Sequence, residues 1–209
     1  MKKTFFILTL ALALSACTPA PAVSTPPAQT RDTTTYRNDT YGLSFEYPKA
    51  WSLVEVGGPY NEFVDTTKGE DPFVRLQLPQ ETYPGTNFGN ADLGLSYVYV
   101  ASLEDCLAYP STNGSVTFDV GQSIEINGIT YYTSESSGAA AGNRYDSKLF
   151  RTYQNDYCFS AAETLHTTNI GNYDPGTVTA VDEDAVWGRF DAILQTMSFT
   201  PPVDLYSQP

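Results

Sequence analysis

The first seventeen residues place the strongest limit on how this chain can fold, because they cannot join the fold that follows. Met1-Lys2-Lys3 is a short basic start, and Thr4 to Leu14 is an apolar run of Phe, Ile, Leu and Ala broken by two threonines. A run of this length spans roughly half of a bilayer core, so it is too short to cross as a mature helix. It also lacks the polar side that a helix packed on a protein core would carry. The run closes on Leu14-Ser15-Ala16-Cys17. Basic head, apolar middle and small residues before a cut describe an export leader, here residues 1–16. Residues 17–34 are rich in Pro, Ala and Thr and hold no aromatic residue, so they cannot bury a core. Their prolines favour an extended spacer of up to ~50 Å. The fold must therefore come from residues 35–200, enough for one domain with a sizeable core, with 201–209 as a tail.

Leu14-Ser15-Ala16-Cys17 resembles the lipobox of bacterial lipoproteins. The resemblance implies that the Cys17 thiol carries diacylglycerol, with palmitate-type acylation, and that residues 17–34 tether the domain. The expected address is the cell envelope, on the extracytoplasmic side of a bacterial membrane. The alternative is an ordinary secretory leader with an incidental cysteine. The chain has three cysteines. Acylation of Cys17 leaves Cys106 and Cys158, an even pair for which a disulfide is reasonable in an exported chain. Such a bond would close a loop of 52 residues, contributing about 4 kcal/mol by chain-entropy reasoning. Two separate buried thiols are the alternative, and no Cys-x-x-Cys or neighbouring His supplies further metal ligands.

The formal charge is −13, and loss of Lys2 and Lys3 with the leader takes it to −15. Such a surface repels nucleic-acid phosphates and anionic headgroups. Nucleic acid is thus excluded as a partner, and the lipid remains the route to the membrane.

Within the domain, Leu43, Phe45 and Tyr47 alternate with polar residues up to Pro48, a strand pattern. Ser52–Val56 reads as its continuation or partner. Glu62–Thr66 and Phe73–Leu78 flank Thr67-Lys68-Gly69-Glu70-Asp71-Pro72, which predicts a hairpin with a charged tip. Pro79–Ala91 reads as loop and Leu95–Ala101 as strand. Ser102-Leu103-Glu104-Asp105 opens a short helix carrying Cys106. Asn127-Gly128 between Ile124/Ile126 and Ile129/Tyr131 predicts a type I′ hairpin. Gly138–Asn143 reads as a loop, and strands follow around Arg144–Tyr153 and Tyr157–Thr167. Val186, Phe190, Ile193, Leu194 and Met197 share one face of a closing helix, with Asp182, Glu183 and Asp184 in its first turn.

Tyr41-Gly42-Leu43-Ser44-Phe45-Glu46-Tyr47-Pro48 with Trp51 resembles the opening of PsbP-like domains. Phe190 to Phe199 is similar to their closing helix and strand. The resemblance implies an α+β fold, a central antiparallel sheet flanked by helices as an α/β/α sandwich. It further implies an accessory or scaffolding role and brings no catalytic signature.

Chemistry-bearing residues are few. His166 is the single histidine, and no Gly-x-Ser-x-Gly elbow places a nucleophile beside it. No Gly-rich phosphate loop of the Walker or dinucleotide type is present. Asp182, Glu183, Asp184 and Asp174 supply hard oxygens, without the spacing of an EF-hand loop. Tyr83, Tyr109 and Tyr173 lie in expected loops and form a candidate interaction face for an envelope protein or glycan. The sequence reading is therefore a lipid-anchored binding or accessory protein, with no catalytic residue, cofactor or metal assigned. The alternatives are an envelope-polymer hydrolase or a calcium-binding module.

Overall fold

The computed structural model describes residues 32–55, 71–108 and 122–200. The expected leader, Cys17 with its expected acylation, most of the expected tether, Tyr109 and the tail lie outside them. In chain order the elements are β1 (Thr33–Asn38), β2 (Leu43–Pro48), β3 (Ser52–Glu55), β4 (Asp71–Gln77), β5 (Phe88–Tyr99), α1 (Leu103–Ala108), β6 (Ser123–Ile126), β7 (Ile129–Ala140), β8 (Asn143–Gln154), β9 (Tyr157–Thr168), α2 (Glu183–Leu194) and β10 (Ser198–Phe199). Among the described residues they form a three-stranded sheet, β1-β2-β10, and a seven-stranded sheet, β3-β4-β5-β9-β8-β7-β6.

The chain is more β-rich than an α/β/α sandwich. One face of the large sheet carries α2 together with the small sheet, and the other carries the six-residue α1. Ring and sulfur contacts join the layers of the first face: Trp51 meets Phe190 at 5.4 Å, Phe159 meets Phe199 at 4.7 Å, and Tyr131 Oη donates to Met197 Sδ at 3.7 Å. The predicted helical face holds, since Val186, Phe190, Ile193 and Leu194 are buried, and Met197 is buried just past the helix end. Asp182 caps α2 by accepting from the Ala185 amide at 3.1 Å. Ser102 caps α1 in the same way through the Asp105 amide.

Turn chemistry fixes the meander. Asn127 and Gly128 take φ of 51° and 76°, the conformation the Asn-Gly pair predicts. Three expectations fail, each where pairing with another strand decides the outcome. Gly138–Asn143 is a hairpin end rather than a loop: β7 runs to Ala140, and Ala141-Gly142 make the turn at φ of 50° and 77°. Ser52–Glu55 is not an extension or partner of β2. The Trp51 amide bonds the Pro48 carbonyl, and the chain turns there into the large sheet, where β3 pairs with β4. Of the expected hairpin, Glu62–Thr66 and most of the tip lie outside the described residues, and within the described residues β4 pairs with β3 and β5. Asp71 and Pro72 belong to the strand, which has an irregular register between Pro72 and Val74 where proline offers no ladder N–H. Finally, β5 begins at Phe88, inside the segment read as loop.

Candidate functional site

Alternation along β8 and β9 sends neighbouring residues to opposite faces of the large sheet. His166 stands on the α1 side. Its ring stacks on Tyr145 at 4.7 Å and 9°, Nε2 meets Asn143 Oδ1 at 2.8 Å, and Nδ1 faces Asn90 Nδ2 at 3.5 Å. A Cβ on Gly89 would come within 2.5 Å of His166 Nδ1, so this glycine lets the imidazole lie on the neighbouring strand. Both ring nitrogens thus face amides, and among the described residues neither faces a hydroxyl or carboxylate.

Of the expected tyrosine face, Tyr109 lies outside the described residues, and Tyr83 and Tyr173 each engage a neighbour within the fold. Tyr83 Oη accepts from Arg189 Nε at 2.9 Å and its ring lies 5.2 Å from Phe88. Tyr173 is 38% exposed, with its hydroxyl 2.7 Å from Thr168 Oγ1. Of the acidic residues at the start of α2, Asp182 serves as the cap and Glu183 lies 3.6 Å from Arg144. No group of three or more potential metal ligands converges among the described residues. The cysteine pairing is present: Cys106 and Cys158 form a disulfide with Cα atoms 5.1 Å apart, fastening α1 to β9.

The unusual chemistry lies on the opposite face, beneath α2, and was not singled out from the sequence. Glu163 of β9 is fully buried, flanked on its own face by Ala161 and Leu165. Among the described residues neither of its carboxyl oxygens has a hydrogen-bond partner. Directly opposite on β8 is Lys148, whose ammonium rests 4.8 Å from the centre of the Trp187 ring on α2. Burial, and then the charge of Asp191 one helical turn beyond Trp187, push the Glu163 carboxyl up to about 9, against the opposing pull of Lys148. Burial likewise raises Asp191, again offset by Lys148. Glu163 is therefore a neutral acid at pH 7, able to donate a proton where an ordinary glutamate would be ionised.

Beside these residues the β7–β8 hairpin and α2 border an open polar groove of about 310 Å³. Glu135, Asp146, Arg144 and Lys148 line it from the hairpin, and Glu183 and Trp187 from α2. Arg144 spans the groove, pairing with Asp146 at 2.8 Å on its own strand and facing Glu183 across it. A second polar cleft of about 460 Å³ adjoins at the hairpin turn and shares Arg144 and Glu183.

No family model matches the sequence, and no curated protein matches it. Solved structures give distant likenesses. Cyanobacterial PsbP (CyanoP) from Synechocystis sp. PCC 6803 is 16% identical, covering 87% of this chain and 100% of its own, with a TM-score of 0.47. LpqN of Mycobacterium tuberculosis, described as involved in cell envelope biogenesis, is 11% identical over 85% of this chain and 90% of its own, with a TM-score of 0.42. A protein from Bacteroides thetaiotaomicron VPI-5482 is 14% identical over 79% of this chain, which spans about half (48%) of that protein, with a TM-score of 0.46. Likenesses at this level bring neither family membership nor an activity to the chain.

Proposed function

We propose that this chain is a lipid-tethered, extracytoplasmic binding protein of the bacterial envelope, with a PsbP-like domain. Cys17 carries the lipid, the spacer runs from there and ends before β1, which already takes up Thr33 and Thr34 of the expected tether, and the partner is an envelope protein or glycan held at the groove beside α2. The observation that carries this reading is the division of the three cysteines. Cys106 and Cys158 are paired, which leaves Cys17, at the end of a lipobox-like leader, as the remaining thiol. A disulfide suits an oxidising compartment, and the leader sequence supplies the route there. Binding rather than hydrolysis is supported by His166, whose ring nitrogens are both taken up by asparagine amides. The groove in turn offers paired charges and serine hydroxyls, suited to a polar partner.

The test is metabolic labelling of the full-length chain in a bacterial host with an alkyne analogue of palmitate. Label on the wild-type chain, its loss in Cys17→Ser, and recovery of the labelled chain with membranes are expected. Mass spectrometry showing an intact leader or an unmodified Cys17 thiol would refute the tether. Crosslinking from intact envelopes through a photoreactive group at Ser137, in the groove wall, should give a discrete adduct, and its absence counts against the binding site.

A further inference from the structure

Glu163 breaks the usual rule for buried polar groups, since a carboxyl sealed in a core is ordinarily hydrogen-bonded or replaced by an apolar residue. Its surroundings are asymmetric. On β5 the residue opposite is Leu93, which offers no charge. On β8 the residue opposite is Lys148, with Asp146 two positions away on the same face and held by Arg144. Beyond Lys148, β7 places Glu135 directly opposite it. From the helix, Asp191 faces the site, whereas Arg189 is turned aside to Tyr83. Lys148 is half-buried, and its ammonium rests on Trp187 instead of pairing with the neutral acid beside it.

We propose that Glu163, Lys148 and Asp191 form a proton-operated latch that controls how helix α2 sits on the sheet. While Glu163 keeps its proton, it requires no counter-charge, Lys148 stays on Trp187, and the helix closes the groove wall. When the proton passes to solvent through the groove, a carboxylate is left in a dry site with Asp191 nearby. The nearest cation able to neutralise it is Lys148, on a facing strand position where side chains are within reach. Drawing Lys148 inward strips the cation from the indole, and water entering to solvate the new pair loosens Trp187 and the helix turn that bears Asp191. The latch therefore responds to alkalinity. This inference does not rest on the lipid or on the identity of any partner.

The experiment uses the full mature chain carrying Cys17→Ser to keep it in solution, and follows the Trp187 indole N–H resonance from pH 6 to 9.8. The wild-type signal is expected to titrate with a midpoint near 9 and Glu163→Gln to remain flat. Lys148→Met should move the midpoint upward, because its cation favours the ionised acid, and Asp191→Asn should move it downward. Amide exchange in α2 should match between wild type and Glu163→Gln at pH 6.5 and be at least tenfold faster in wild type at pH 9.8. Equal titration in wild type and Glu163→Gln would overturn the latch. So would a midpoint indifferent to both Lys148→Met and Asp191→Asn, two half-exposed positions that keep the test open even if Glu163→Gln does not fold.

Discussion

Two ionisable side chains are sealed between the same pair of strands, on opposite faces, and they are treated in opposite ways. Arg151 of β8 is 1% exposed, yet its Nε donates to Ser160 Oγ at 3.2 Å and Nη1 to the Cys106 carbonyl at 3.3 Å. It binds α1 to the sheet beside the disulfide and stays charged. Three residues earlier, Lys148 faces Glu163, an acid buried as deeply whose carboxyl has no hydrogen bond among the described residues. A buried charge with partners is a clamp, because its removal orphans those partners. A buried acid without partners avoids charge by keeping its proton, and so links the fold to pH. One face of β8–β9 is built for permanence and the other for response.

That contrast can be broken at several points. Reducing the disulfide attacks the clamped face most strongly. Releasing a loop of 52 residues is expected to cost about 4 kcal/mol by the chain-entropy relation, read as a fall in Tm with reductant. Arg151→Met should cost roughly 3 kcal/mol, since two hydrogen bonds to a charged group are lost, and urea melts should show the same loss at pH 5 and pH 8. Glu163→Gln should behave differently on both counts. The folded acid holds its proton up to about 9 whereas the unfolded acid releases it near 4.5, so the folded state binds more protons across that window. Wild-type stability must then fall as pH rises through the window, by up to about 1.4 kcal/mol per pH unit, and level off above it. The glutamine variant should lose this slope and exceed wild type at pH 8. The smallest effect sharpens the comparison: Asp182→Ala removes the α2 cap at a cost of about 1 kcal/mol, without moving the Trp187 titration.

The sequence was legible where a local rule acts alone. Asn127-Gly128 demands its turn, Asp182 and the apolar spacing through Leu194 define α2, and cysteine arithmetic anticipates Cys106 with Cys158. It misled where an outcome depends on distant partners. The Ala-rich stretch before Gly142 becomes strand because β8 pairs with it along its full length, and Ser52–Glu55 joins the large sheet because β4 accepts it. Tyr83 looks like a loop aromatic until Arg189, far along the chain, takes its hydroxyl. The Glu163 site was half visible. Ala161, Glu163 and Leu165 share a face by simple alternation, so an acid stands among apolar neighbours. What the sequence could not supply is the cover, since α2 lies twenty residues further on and seals the acid only once it packs.

Glu163 carries its proton in the folded protein at physiological pH. The side-chain carboxyl carbon of Glu163, followed by isotope-edited NMR against pH, reports its protonation directly. The expected spectrum at pH 7 is that of a protonated carboxyl, with the change to carboxylate centred near 9. A carboxylate shift at pH 7, titrating in the ordinary range near 4.5, would contradict it.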